Sequence, residues 1–173
     1  MNIYDLPEEC LMKRILILYF SGAGATKRVA ELMCARLQQG CMVDLFTVES
    51  KETLSPCIAI TKLATKNPCK TLVVFTVGLA DPVTTDFSKI LDMNFTVELQ
   101  AKIKIFHLRG GMDYKKLGVI HKGMMAMVRK VDAKKDESER NDEEKLFLET
   151  YGKKLDFVDK STIIPIVEYV NLL

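Results

Sequence analysis

Lys13-Arg14-Ile15-Leu16-Ile17-Leu18-Tyr19-Phe20, running into Ser21-Gly22-Ala23-Gly24-Ala25-Thr26, is the stretch that decides the fold. Its first part reads as a strand that is apolar on both faces, the pattern of a parallel sheet with helices above and below. The small residues that follow read as a turn. Val29, Leu32, Met33, Arg36 and Leu37 then recur at the spacing of an amphipathic helix, with Gly40 as its stop. Met42–Phe46 reads as a second strand. The unit is strand, loop, helix, strand, the opening of an α/β fold.

Working toward the C-terminus, Glu49–Pro56 reads as a polar loop and Ile58–Lys66 as a short helix ending near Asn67-Pro68. Thr71–Val77 is β-branched and apolar on both faces, a third strand. Gly78–Asp81 and Pro82 form a turn, Thr84–Leu91 a short helix, Lys102–Leu108 a fourth strand, and Arg109–Tyr114 a loop. Leu117, Ile120, His121, Met124, Met125, Val128 and Val131 share one helical stripe, read as core packing because methionine fills irregular gaps. The charge-dense run from Arg129 to Lys145 reads as a solvated, mobile connector. A helix over Asp142–Tyr151 should stop at Gly152, and a last helix over Ile163–Leu172 should bury Ile163, Ile166, Val167 and Val170. Residues 1–12 read as a short leader and residues 13–173 as a single domain.

Composition excludes several classes. The chain has 173 residues, and 25 Lys and Arg against 23 Asp and Glu give a formal charge of only +2, so no basic surplus points to nucleic acid. No apolar run approaches the roughly 20 residues that span a bilayer. No basic segment precedes an apolar run at the start, so the expected location is the cytoplasm. Five cysteines at 10, 34, 41, 57 and 69 contain no C-x-x-C pair and read as reduced thiols. The two histidines, His107 and His121, have no Cys or His at ligand spacing, so no metal site is expected.

Chemistry concentrates in the first turn. In an open parallel sheet, ligands bind beyond the carboxyl ends of the strands. Gly22 and Gly24 allow close backbone approach and positive φ, Ser21 and Thr26 supply hydroxyls, and the helix N-terminus adds partial positive charge. The third glycine of a dinucleotide fingerprint is absent, since Lys27 stands in its place. Two readings stand on the residues alone: a phosphate site, or a tight strand-to-helix turn without a ligand.

The segment Tyr19–Ala30 resembles the phosphate loop and first helix of flavodoxin-like proteins. Asn94-Phe95-Thr96, Phe106–Leu117 and Thr150–Asp159 are similar to the last-strand region and tail of a flavodoxin-domain group of anaerobic Firmicutes, itself distantly similar to menaquinone-dependent protoporphyrinogen oxidases. The resemblance covers most of residues 13–171. It implies a flavodoxin-like three-layer α/β/α fold with a parallel sheet and bound FMN, acting in electron transfer or flavin-dependent oxidoreduction. By the motif match, Ser21, Gly22, Ala23, Gly24, Ala25 and Thr26 would surround the phosphate. Gly78, Leu79, Ala80, Arg109, Gly110 and Gly111 would lie near the ring or its edge. The implied partners are FMN and a redox partner or quinone-like substrate, with monomer and dimer both open.

The chain departs from the family pattern in ways that matter. Ala23 and Ala25 replace residues that are usually polar. A strand and a glycine-rich flavin loop expected near Ser55–Cys57 are missing, which would shorten the sheet to four strands in the order 2-1-3-4. The alternative is therefore a derivative that keeps the fold without its cofactor and serves as an interaction module. For Arg109 two roles stand side by side: neutralising a reduced flavin or anionic substrate, or a salt bridge with a neighbour such as Asp113. Tyr114 is the aromatic best placed to meet a flavin, with a core or rim role as the alternative.

Overall fold

The computed structural model describes residues 13–21, 24–47, 56–66 and 71–173, without the side chains of residues 56, 57 and 59. The leader, Gly22, Ala23, the loop 49–55 and the helix stop at 67–68 lie outside the described residues. So do Cys10, Cys69 and the side chain of Cys57.

The fold is α/β, built on parallel strand pairs. β1 (Arg14–Tyr19) leads into α1 (Ala25–Leu37) and β2 (Met42–Thr47), and β1 pairs with β2 in parallel, Ile15 opposite Val43 and Ile17 opposite Leu45. α2 (Pro56–Lys66) precedes β3 (Leu72–Gly78). After α3 (Ser88–Asn94) and α4 (Val97–Gln100), β4 (Ile103–Arg109) pairs in parallel with β3 along its whole length. β1–β2 and β3–β4 are thus separate two-stranded parallel sheets, and no ladder joins β1 to β3 among the described residues, so the expected single sheet in the order 2-1-3-4 is not formed there. Side chains join the two sheets instead. Ile17 and Tyr19 of β1 share one core with Leu108 of β4, and Val73, Phe75 and Val77 of β3 pack against it.

α1 and α7 (Ile164–Leu172) cover that core. Of the α1 stripe read from sequence, Val29, Met33 and Leu37 are buried, Leu32 is half-buried and Arg36 is exposed; on α7 Ile166, Val167 and Val170 are buried, preceded by Ile163. Each such side chain contributes roughly 1.5–3 kcal/mol when fully removed from water. Cys34 and Cys41 are buried free thiols. The opposite face of β3 and β4 forms a second cluster, where Val74, Phe95 and Ile103 meet Ile60, Leu91 and Leu99. β3 is therefore covered on both sides, as its sequence requires.

The expectation of two-sided burial fails for β1. Its odd-numbered residues face the core, while Leu16 is 58% exposed and Phe46 on β2 is 57% exposed. The physical reason is that α1 supplies a cover on one side and no described element covers the other.

Past β4 the expected loop is partly regular. β5 (Gly111–Asp113) pairs antiparallel with β6 (Lys154–Asp156), and a 3-10 turn follows at Tyr114–Lys116, where the Asp113 carboxylate accepts from the Lys115 N–H. α5 (Val119–Asp132) corrects the reading of its stripe as core. Ile120, Met124, Val128 and Val131 are all exposed. The helix packs instead through its other side. Arg129 stacks over Tyr151, Lys122 lies near the Tyr114 ring, and Asp132 is buried. Periodicity shows that a helix has two faces but not which one its neighbours cover.

The run read as a connector is largely solvated, but it is built from the end of α5, a 3-10 turn at Glu137–Glu139 and the start of α6 rather than being without regular structure. Arg140 donates to the carbonyls of Asp132, Ala133 and Lys135, closing the end of α5. Asn141 and Glu144 form a reciprocal capping box at the start of α6 (Asp142–Thr150), and the Lys135 ammonium holds the Glu144 carboxyl below its usual range. Gly152 follows α6 with φ +81, a left-handed position that suits glycine. Asn141→Ala is expected to lower stability by about 1 kcal/mol, read as a lower urea midpoint at unchanged slope.

Candidate functional site

The turn between β1 and α1 owes its shape to Gly24, whose φ of +89 and ψ of −17 place it in the left-handed region at the helix N-cap. A side chain there would strain the backbone. Gly24 brings no cap of its own, so Ser21 takes that role. Its Oγ accepts from the N–H of Gly24 at 3.1 Å and of Lys27 at 3.3 Å. A hydroxyl has two acceptor positions and one donor. With both acceptors filled, the Ser21 hydroxyl keeps its proton free to donate. The N–H groups of Ala25 and Thr26 open α1 and lack helical partners, as first-turn amides do. Among the described residues the Thr26 hydroxyl has no partner. The turn therefore offers neutral donors at the positive end of a helix of 13 residues.

Its nearby cations are engaged. Lys27 pairs with Glu31 at 3.7 Å, and Arg28 with Asp156 at 2.8 Å. The Arg28 bond is the main reason the Asp156 carboxyl sits below its ordinary range.

Gly110 brings the later loops to this turn. Its N–H donates to the Gly78 carbonyl at 2.6 Å, and its own carbonyl accepts from the Phe157 N–H at 2.9 Å. A Cβ on Gly110 would lie 3.3 Å from the Ala25 Cβ. Ala25 at the head of α1, Gly78 at the end of β3 and Gly110 at the end of β4 thus meet at one point. Gly111 is held equally closely in the β5–β6 ladder, where a Cβ would come within 2.8 Å of the Leu155 carbonyl oxygen.

Arg109 belongs to the framework of this corner. Its Nε donates to the Leu79 carbonyl at 3.2 Å, its Nη1 lies 3.3 Å from the Asp81 carboxylate, and its guanidinium stacks 4.0 Å from the Phe157 ring. The ion pair is with Asp81, whereas Asp113 is occupied at its own turn. Glu143 of α6 accepts from the Asp81 N–H and the Thr85 hydroxyl, tying the Gly78–Asp81 loop to the far helix. Ala80 lies in that loop, half-buried, with no side-chain donor to offer. Tyr114 hydrogen-bonds to Tyr151 through the two hydroxyls at 2.6 Å, which puts it on the rim beside α5 rather than at this corner. The Tyr151 bond, more than burial, raises the Tyr114 pKa.

Three features escaped the sequence. The Asp81 and Phe157 partners of Arg109 are far from it along the chain, and no local pattern links them. A shallow cleft of about 300 Å³ lies one turn farther along α1, lined by Arg28, Glu31, Leu32, Val158 and Lys160. His107 stacks on Phe87 with ring centroids 3.8 Å apart and bonds to Thr76, and burial lowers its pKa. A phosphate at this turn would meet the backbone N–H groups of Ala25 and Thr26 and the Ser21 and Thr26 hydroxyls. The methyl groups at positions 23 and 25 offer nothing to it, and Gly22 and Ala23 lie outside the described residues.

No family model, curated protein or solved structure matches the chain.

Proposed function

We propose that the chain is a flavodoxin-like protein that binds FMN at the corner formed by β1, β3 and β4 and serves electron transfer or flavin-dependent oxidoreduction. The observation that carries this reading is the Ser21–Gly24–Thr26 turn. A left-handed glycine and a doubly accepting serine leave a hydroxyl proton and first-turn amides to a small anion. That turn follows the carboxyl end of β1, and open α/β sheets bind ligands beyond such strand ends. In this reading Ser21, Gly24, Ala25 and Thr26 hold the phosphate, as would Gly22 and Ala23. Gly78, Leu79 and Ala80, with Gly110 and Gly111, border the ring, and Arg109 fixes the Leu79 loop. When bound, FMN supplies the redox chemistry, and the protein positions it and tunes its surroundings. The flavodoxin-like sheet and the redox partner or quinone-like substrate belong to the same proposal.

Titrating the ligand-free protein with FMN while following flavin fluorescence tests it, with riboflavin in parallel. FMN is expected to be quenched, and riboflavin to bind at least about tenfold more weakly, since charge-assisted bonds to the phosphate contribute on the order of 1.5–3 kcal/mol each. No quenching at high micromolar FMN would remove the reading.

A second reading, a cofactor-free interaction module, is favoured by the bare apolar faces of β1–β2 and α5. It requires that FMN leave the thermal midpoint unchanged, because any ligand that binds only the native state raises it.

A further inference from the structure

We infer that α5 is a docking element that lays its apolar face on an anionic lipid surface. Val119, Ile120, Met124, Met127, Val128 and Val131 form one outward face, with Val119 87% and Ile120 78% exposed. A cluster of large apolar side chains on a single helix face marks an interaction site rather than scattered exposure. The helix has 14 residues and is held from behind, where Arg129 stacks on Tyr151 and Arg140 closes its end. It therefore presents a firm convex ridge, the shape that suits a flat surface.

Charge selects the occupant. Between residues 113 and 135 the chain carries Lys or Arg at 115, 116, 122, 129, 130, 134 and 135, against Asp113 and the buried Asp132, while the exposed Asp136, Glu137 and Glu139 follow past the end of α5. Lys115, Lys116, Lys130 and Lys134 are exposed and in no ion pair among the described residues. A second copy would set this positive rim against itself, which disfavours a symmetric dimer through α5. A basic amphipathic helix fits the headgroup boundary of an anionic membrane, where apolar side chains enter and lysines reach phosphates. Among the described residues no helix is long and apolar enough to span a membrane, so α5 would lie on the surface. The inference is independent of flavin binding.

The test is flotation of the full chain with vesicles of phosphatidylcholine containing phosphatidylglycerol, and with phosphatidylcholine alone. Binding is expected only to the anionic vesicles and should fall as salt is raised. Lys116→Gln with Lys130→Gln should weaken it at least about tenfold, since lysines near an anionic surface add to the attraction. Ile120→Glu with Met127→Glu should abolish it. Both pairs are exposed, so circular dichroism should be unchanged. Equal binding to neutral vesicles, or no binding to anionic ones, overturns the inference. So does a concentration-dependent dimer in sedimentation velocity that Ile120→Glu with Met127→Glu dissolves, which would make a second copy the occupant.

Discussion

Met33→Ala is expected to lower the free energy of unfolding by about 2–5 kcal/mol, while Met127→Ala changes it by less than about 0.5 kcal/mol. The two methionines have the same chemistry and opposite settings. Met33 is 2% exposed on α1, in the core that joins β1, β4 and α7, whereas Met127 is 71% exposed on α5. Truncating Met33 removes its transfer free energy and leaves a cavity that neighbouring side chains fill only in part. Because no ladder between β1 and β3 is described, side-chain packing under α1 carries much of the coupling between the strand pairs. A Met33 loss near the upper end of the range is therefore expected. Urea unfolding followed by circular dichroism reads both variants. Equal losses at the two sites would mean that α5 is covered in solution and that the division into core and surface is wrong.

Gly110→Ala carries the second large effect, a loss of about 1–3 kcal/mol from overpacking. The new methyl would lie 2.5 Å from Val77 Cγ1 and 3.3 Å from the Ala25 Cβ. Valine is stiff at χ1, so it cannot swing aside cheaply. The end of β4 must move away from β3 and α1, straining the bonds from the Gly110 N–H to Gly78 and from the Phe157 N–H to Gly110. If the proposed FMN site is right, flavin affinity should fall with stability, because the same shift displaces Ala25 at the turn proposed to hold the phosphate. Gly123→Ala makes the control. Nothing lies within 4 Å of a Cβ there, and alanine in the middle of α5 should stabilise by roughly 0.5–1 kcal/mol.

The parts legible in the sequence were those where one local pattern has one structural consequence. The α7 stripe buries the residues its spacing selects, the α1 stripe does so at Val29, Met33 and Leu37 but not at Arg36, and the strands at Leu72–Gly78 and Ile103–Arg109 fall within a residue of where β-branched and apolar runs placed them. Burial on one side of β1 was not legible, because apolar residues on both faces of a strand do not guarantee that a helix arrives to cover each. The outward face of α5 was missed for the same reason: amphipathicity defines two faces, and the Tyr114–Tyr151 pair with its stacked cations decided which one packs. The β5–β6 ladder has three residues per strand, too few for any period. At the candidate site, Gly24 and Ser21 were visible from residue type alone, and the structure adds how they act together. Arg109 was visible as a charge beside two glycines, but its partners Leu79, Asp81 and Phe157 lie in distant segments.

The most direct measurement is the amide NMR spectrum of the protein titrated with FMN. The N–H resonances of Ala25 and Thr26 should shift progressively and saturate together with the quenching of flavin fluorescence, while that of Gly40 at the far end of α1 stays in place. Saturating FMN that leaves Ala25 and Thr26 unmoved would contradict a phosphate held by the first turn of α1.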